Sequence, residues 1–351
     1  MAYTTIDDPT IYFNTKLYTG NGSTQSITGV GFQPDFVWGK NRSTTNWHDL
    51  EDAVRGATKR LSSNTTDVEA TRSSSITSFD SDGFSMGADA QINDTSSYNY
   101  VSWNWKAGTA FSNDASATGV GSIDSSGSVN ETAGFSIVSY TGTGSAATIK
   151  HGLSTTPNMM IIKNRVTSSK DWQVYSPVND PTDALALNQS DATGDSDVYW
   201  NDTAPTSSVF SVKSGATNTS GAATIGYIFS NRQGYSKMGS FTGNANTDGP
   251  VLYTGFRPAW FLVKNTAASE HWRIYDNKRN TFNHMFRLLN PNEGSAESTV
   301  DNGSEEIDFL SNGVKIRSSA QQLNGSGHTL IYMAFAESPF VNSNGVPNNA
   351  R

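Results

Sequence analysis

Pro34-Asp35-Phe36-Val37-Trp38-Gly39-Lys40-Asn41 returns as Pro157-Asn158-Met159-Met160-Ile161-Ile162-Lys163-Asn164 and again as Pro258-Ala259-Trp260-Phe261-Leu262-Val263-Lys264-Asn265. Proline and lysine stand six residues apart each time, with consecutive bulky residues between them. A short apolar run of this kind reads as a strand buried on both faces; an amphipathic helix would space its apolar residues three and four apart. Pro34, Pro157 and Pro258 suit the first residue of such a strand, where no ladder donor is yet needed. Successive copies lie roughly 100 residues apart, the size of a domain and far longer than a solenoid rung.

Working outward, each copy opens on a strand entering a glycine turn: Tyr18-Thr19-Gly20-Asn21-Gly22, Tyr140-Thr141-Gly142-Thr143-Gly144 and Phe241-Thr242-Gly243-Asn244. Each closes on an aromatic strand preceded by a loop rich in Asn, Ser and Thr: Tyr100–Trp105, Thr224–Phe229 and Leu330–Phe335. A tryptophan follows each Lys-Asn, and Trp47, Trp172 and Trp272 are expected to anchor the cores between sheets. Phe79-Asp80-Ser81-Asp82-Gly83-Phe84 and Phe309-Leu310-Ser311-Asn312-Gly313-Val314 read as hairpins.

The expected fold is therefore all-β: three tandem repeats of a jelly-roll-like β-sandwich with little helix, Leu50 to Leu61 being the best local helix candidate. Residues 1–110 form the first repeat with a short N-terminal anchor, 133–234 the second and 235–340 the third. The Gly/Ala/Ser/Thr-rich stretch 111–132 reads as a linker or long loop, and 341–351 as a C-terminal arm that orders only when docked.

Hydrophobic residues make up 35% of the 351 and charged residues 16%, a balance that favours strands and turns. A formal net charge of -8 disfavours nucleic acid, which is bound by clustered Lys and Arg. With no cysteine there are no disulfides or thiolate metal sites. No apolar run is long enough to insert in a membrane, and Met1–Thr5 has neither region of a signal peptide, so synthesis in a cytoplasm without an export signal is expected.

Chemistry is sparse. None of the five histidines pairs at the spacing of a helical zinc site. Asp80-x-Asp82-Gly83 is read as a hairpin turn in preference to the start of a calcium loop, and Asp195-Ser196-Asp197 as solvated. No catalytic residue, metal or cofactor is expected. Trp200, Tyr199 and Tyr98 lie in polar loop contexts and are the candidates for stacking on a glycan or partner. The lysines of the Lys-Asn pairs are expected to lay their stems over apolar surface with the amines in water, the asparagines serving the following turn; a role in contacts between neighbouring units is the other reading.

Met1-Ala2-Tyr3-Thr4-Thr5-Ile6-Asp7-Asp8-Pro9 with the opening turn at Tyr18, Trp103-Asn104-Trp105-Lys106-Ala107-Gly108, Gly134-Phe135-Ser136-Ile137-Val138-Ser139-Tyr140-Thr141-Gly142 and Tyr332-Met333-Ala334-Phe335-Ala336-Glu337 resemble motifs of a family of structural proteins from marine and cyanobacterial tailed phages. The resemblance covers nearly the whole chain. It implies a non-enzymatic virion component, tail-fibre-like or otherwise at the surface, with no assigned catalytic residues. The partners it implies are other virion proteins, a host surface glycan or protein, and further copies of the chain, a trimer by analogy. The alternative is a capsid decoration protein held by Met1 to Phe13; a glycan-degrading enzyme is a minor third reading.

Overall fold

Phe36 and Trp38 point into one apolar cluster and Val37 into another. Met159 and Ile161 divide in the same way from Met160 and Ile162, and Trp260 and Leu262 from Phe261 and Val263. Successive side chains of a strand face opposite ways. The three repeated strands are apolar throughout because both faces are covered, one by a private core and the other by a core shared among all three.

The structure, a computed structural model, describes residues 3–95, 97–299, 301 and 303–349. It is nearly all β, with 41% strand and 3% helix. Unit one holds β1 (Phe13–Thr19), β2 (Gln25–Thr28), β3 (Phe36–Asn41), β4 (Asp49–Asp52), β5 (Lys59–Arg60), β6 (Ala70–Thr71), β7 (Ile76–Asp80), β8 (Gly83–Met86) and β9 (Asn99–Trp105). Unit two holds β10 (Thr109–Asn113), α1 (Ala115–Thr118), β11 (Ser125–Asn130), β12 (Phe135–Thr141), β13 (Ala147–Lys150), β14 (Met159–Asn164), β15 (Gln173–Tyr175), β16 (Asp183–Ala184), β17 (Gly194–Asp195), β18 (Val209–Val212) and β19 (Ala223–Phe229). Unit three holds β20 (Ser236–Thr242), β21 (Val251–Tyr253), β22 (Phe256–Asn265), β23 (Arg273–Asp276), β24 (Ile307–Leu310), β25 (Gly313–Ile316), α2 (Gln321–Asn324) and β26 (Thr329–Pro339).

The larger sheets run β1-β9-β3-β4, β10-β11-β12-β19-β14-β15 and β20-β26-β22-β23. The smaller ones run β2-β8-β7, β13-β18 and β21-β25-β24. In units one and three the first strand pairs with the last and the second with the penultimate; in unit two β12 and β13 take these places, pairing with β19 and β18, and β10 and β11 extend the sheet beyond β12. Each private core lies between a larger and a smaller sheet, whereas the outer faces of the three larger sheets meet in the shared core. Phe36 stacks on Tyr227 there at 4.2 Å, and Phe13 on Phe335 at 5.1 Å. Pro258 falls where the β22–β26 register shifts, a position at which the ladder asks no donor of it.

A buried asparagine clamps each opening turn. Asn93, Asn218 and Asn324 accept from the backbone N–H of Asn21, Thr143 and Asn244 at 2.8, 2.8 and 2.7 Å. Each side-chain amide then donates to the same turn and to its own loop, for instance Asn324 Nδ2 to Asn246 O and Ser318 O, both at 2.8 Å. The glycine of the turn is needed for this approach: a Cβ on Gly243 would lie 2.2 Å from Gly325 O.

Several expectations need correction. Leu50 to Leu61 is no helix but carries β4 and β5, and the Leu50 and Leu61 backbones pair with each other. The stretch 111–132 is not a free linker: β10 and β11 add to the sheet edge at β12, and Asn113, Ile123, Ser125 and Val129 are buried. Its small residues serve close strand packing, since a Cβ on Gly127 would meet Ile137 O at 1.9 Å. Within the N-terminal segment, Ile6 lies in the shared core and Thr4 Oγ1 donates to Gln233 O at 2.7 Å. Of the C-terminal arm, residues 341–349 are described, and there Arg257 Nη1 donates to Asn349 O at 2.7 Å.

Candidate functional site

Polar side chains concentrate where the units meet. Trp172 Nε1 of unit two donates to Ser62 O of unit one at 2.9 Å, and Trp272 Nε1 of unit three to Ala186 O of unit two at 3.0 Å. In unit one the corresponding ring is His48. Trp38 Nε1 donates to its Nδ1 at 2.8 Å, which leaves the proton on Nε2, 3.0 Å from Asn290 O of unit three. Burial holds this imidazole well below its ordinary pKa and therefore neutral. Main-chain bonds repeat the same circuit: Glu69 N to Arg165 O at 2.8 Å, Thr193 N to Thr266 O at 2.9 Å and Glu297 N to Arg42 O at 3.0 Å. Unit one contacts three, three contacts two, and two contacts one, so the head-to-tail contacts close into a ring.

Two seams are charged and the third is not. Arg42 grips Glu297 through two bonds of 2.9 Å, and Arg165 grips Glu69 likewise. Behind them Arg55 pairs with Asp52 and Arg279 with Asp276, every side chain fully buried. Tyr227 and Trp103 reach across to Asp52 and Asp276 at 2.7 and 3.0 Å. At the seam between units two and three these places hold Ser176, Asn179, Thr193, Thr266 and Met333, and no ion pair joins the described residues there. The whole set is exchanged together, as the cost of stranding one buried charge requires.

The lysines of the Lys-Asn pairs do not reach water. Lys40 Nζ donates to Asn41 O and, across a seam, to Gly294 O at 3.1 Å; Lys264 Nζ donates to Ser190 O of unit two at 2.9 Å and to Glu270 O; Lys163 Nζ donates to Lys170 O. Burial lowers Lys40 to about 7 and Lys163 and Lys264 to about 8. Each paired asparagine takes the following turn, as Asn164 Oδ1 accepts from Thr167 N at 2.8 Å.

The aromatic candidates change places. Trp200, read as a surface platform, is 1% exposed and packs at 5.6 Å from Tyr175 in the private core of unit two. Tyr199 is half-buried and packs against the same cluster as Trp200, and Tyr98 is half-buried in unit one. Trp172 and Trp272 are core residues, and Pro34, Pro157 and Pro258 are buried. Trp47 is not a core anchor: it is 43% exposed, and its neighbour His48 fills the buried position. Asp82 accepts from Gly29 N and Gly31 N at 2.9 and 2.6 Å, so its carboxylate ties a turn to the β2 end.

Trp47 borders a groove of about 310 Å³ at the seam between units one and two, lined also by Arg60, Asp67, Val68, Arg72 and Ser168. A larger groove of about 660 Å³ on unit two is lined by Asp114 and Asp124, whose carboxylates accept from Ala117 N and Ala115 N. The side chains of Asp67, Arg72 and Ser168 make no hydrogen bond among the described residues, which makes the Trp47 groove the better candidate site.

These features define a β-sandwich-type protein whose three larger sheets share one core. The chain belongs to the family of the domain of unknown function DUF7483, whose model matches residues 8–339. No curated protein and no solved structure matches it.

Proposed function

We propose that the chain is three copies of one sandwich unit serving as building material: a non-enzymatic component of a tailed-phage virion surface, tail-fibre or fibre-associated, that contacts the host. The observation that carries this reading is the closed circuit of seams, in which buried lysines, arginines and tryptophans are spent on joining units. Such a circuit makes a body that resists local opening, the quality an exposed particle component needs. The phage assignment itself rests on the sequence motifs. The alternative is a capsid decoration protein held through Met1 to Phe13, a segment in which Thr5, Asp7, Asp8, Thr10 and Ile11 are exposed while Thr4 and Ile6 are buried. Immunogold labelling of purified particles tests the proposal. Label along tail fibres is the expected result; purified virions without the protein, or label confined to the head, would overturn it.

A further inference from the structure

Trp47 departs from the pattern that the rest of the molecule follows. All seven other tryptophans are buried. At the matching position unit two has Asp171, which accepts from Asn188 Nδ2 at 2.7 Å, and unit three has His271, bonded to Asn292 Nδ2 at 2.7 Å. Asn188, Asn292 and Asn64 are themselves equivalent, since their Oδ1 atoms accept from the backbone N–H of Trp172, Trp272 and His48. The fold therefore accommodates a polar residue tied to its own loop at this place, and packing does not call for an indole. The ring nevertheless stands on a fixed backbone: Trp47 N donates to Gln91 Oε1 at 2.8 Å, and Asn46 is held on both sides, by Gly294 O and by Ala90 O.

We infer that the Trp47 groove is a carbohydrate-binding site that takes a neutral, hexose-containing glycan. A sugar ring is amphipathic in the same sense as the groove. Its C–H face stacks on an indole, and its rim carries hydroxyls that both donate and accept. Here the indole shares the lining with Val68, and around them stand an acceptor, Asp67, a fork of donors, Arg72, and a hydroxyl, Ser168, none with a side-chain hydrogen bond among the described residues. Arg60, also on the lining, is committed to Asp89 at 3.3 Å and is not free for a ligand. The volume fits one or two sugar rings, at the small end of ligand sites. A nucleic acid could also stack on the indole, but the Asp67 carboxylate and the net charge of -8 repel a phosphate backbone. Ser168 comes from unit two, so the groove exists only while that seam is closed.

The inference deepens the host-contact part of the proposed function, and it is tested on the isolated protein, so it can fail while particle labelling succeeds. Cellotetraose, maltotetraose, mannotetraose and N,N′,N″,N‴-tetraacetylchitotetraose would be titrated into the full chain, followed by calorimetry and tryptophan fluorescence. We expect saturable binding of at least one, weakened about tenfold or more by Trp47→Ala, the loss typical of one stacking contact. Asp67→Asn and Arg72→Ala should also weaken it, while Phe282→Ala, at an exposed aromatic of unit three, should leave it unchanged. Each variant's melting temperature is read in parallel. No binding of any of the four at about 10 mM, binding unaltered in a folded Trp47→Ala, or a preference for oligo-dT over all four sugars would each overturn the inference.

Discussion

Tyr227 Oη lies 2.7 Å from Asp52 Oδ2, a bond from the last strand of unit two to the carboxylate that Arg55 of unit one holds at 2.5 Å. Three fully buried polar groups satisfy one another across a seam, and Arg55 adds bonds to Leu50 O and Lys59 O. Removing one member strands the others. Arg55→Ala should cost about 3–5 kcal/mol in chemical denaturation. Transplanting the neutral seam's set (Asp52→Ser, Arg55→Asn, Glu69→Thr, Arg165→Thr, Tyr227→Met) should cost clearly less than the sum of the five single changes, because no charge is left without a partner. Additive losses would show that the network is not a unit.

The asparagine clamps make a second prediction. Asn93, Asn218 and Asn324 each bridge an opening turn to the loop before the last strand, and all are buried. Alanine at any of the three should cost about 1–3 kcal/mol, the desolvation of groups left unpaired. Amide exchange should accelerate first at Asn21, Thr143 or Asn244, in the unit that carries the change. Equal exchange across all three units in one variant would show that the clamps do not act locally.

What the sequence disclosed and what it hid follow from separation along the chain. The Pro-to-Lys-Asn frame and the doubly buried strands were legible because a fixed local spacing specifies them. His48 was also within reach: it lies eight residues from Lys40, as Trp272 does from Lys264, but a bulky ring one position earlier drew the assignment to Trp47. Trp200 misled because a polar loop around a tryptophan looks like surface, whereas this loop folds over a core. The seams were out of reach, since Arg42 and Glu297 are 255 residues apart and nothing local couples them.

Glu51 gives the chain a pH dependence with a definite sign. It stands where units two and three bury Tyr175 and Tyr275. Burial first, and then the Asp49 carboxylate, push its pKa up. The folded state thus holds a proton that the unfolded chain releases near the ordinary carboxyl pKa. Its contribution is complete below that value and is lost as pH rises toward the elevated one, by up to about 1.4 kcal/mol per pH unit. Glu51→Gln keeps an acceptor for Ile76 N without the proton. Relative to the parent it should gain stability progressively between about pH 5 and about pH 8 in urea titrations. The difference between the two proteins isolates Glu51, because buried Lys40 acts with the opposite sign: its contribution is lost as pH falls through about 7. A difference that does not vary with pH would place Glu51 in an ordinary, ionised setting.

Exposure of one tryptophan among eight has an optical consequence that needs no ligand. Trp47 is open to solvent, whereas Trp38, Trp103, Trp105, Trp172, Trp200, Trp260 and Trp272 are closed off within the cores. A collisional quencher such as acrylamide reaches a ring only where solvent does, unless the fold opens, and opening of core elements is rare in a stable domain. The quenchable part of the emission should therefore belong to Trp47 and disappear in Trp47→Phe. Trp200→Phe should leave the quenchable part intact and lower the melting temperature, because it empties part of the private core of unit two; large-to-small or reshaping changes there cost about 1–3 kcal/mol. If instead Trp200→Phe removes the quenchable emission, the loop Gly194 to Thr206 stands away from that core, and the first assignment of Trp200 to the surface is restored.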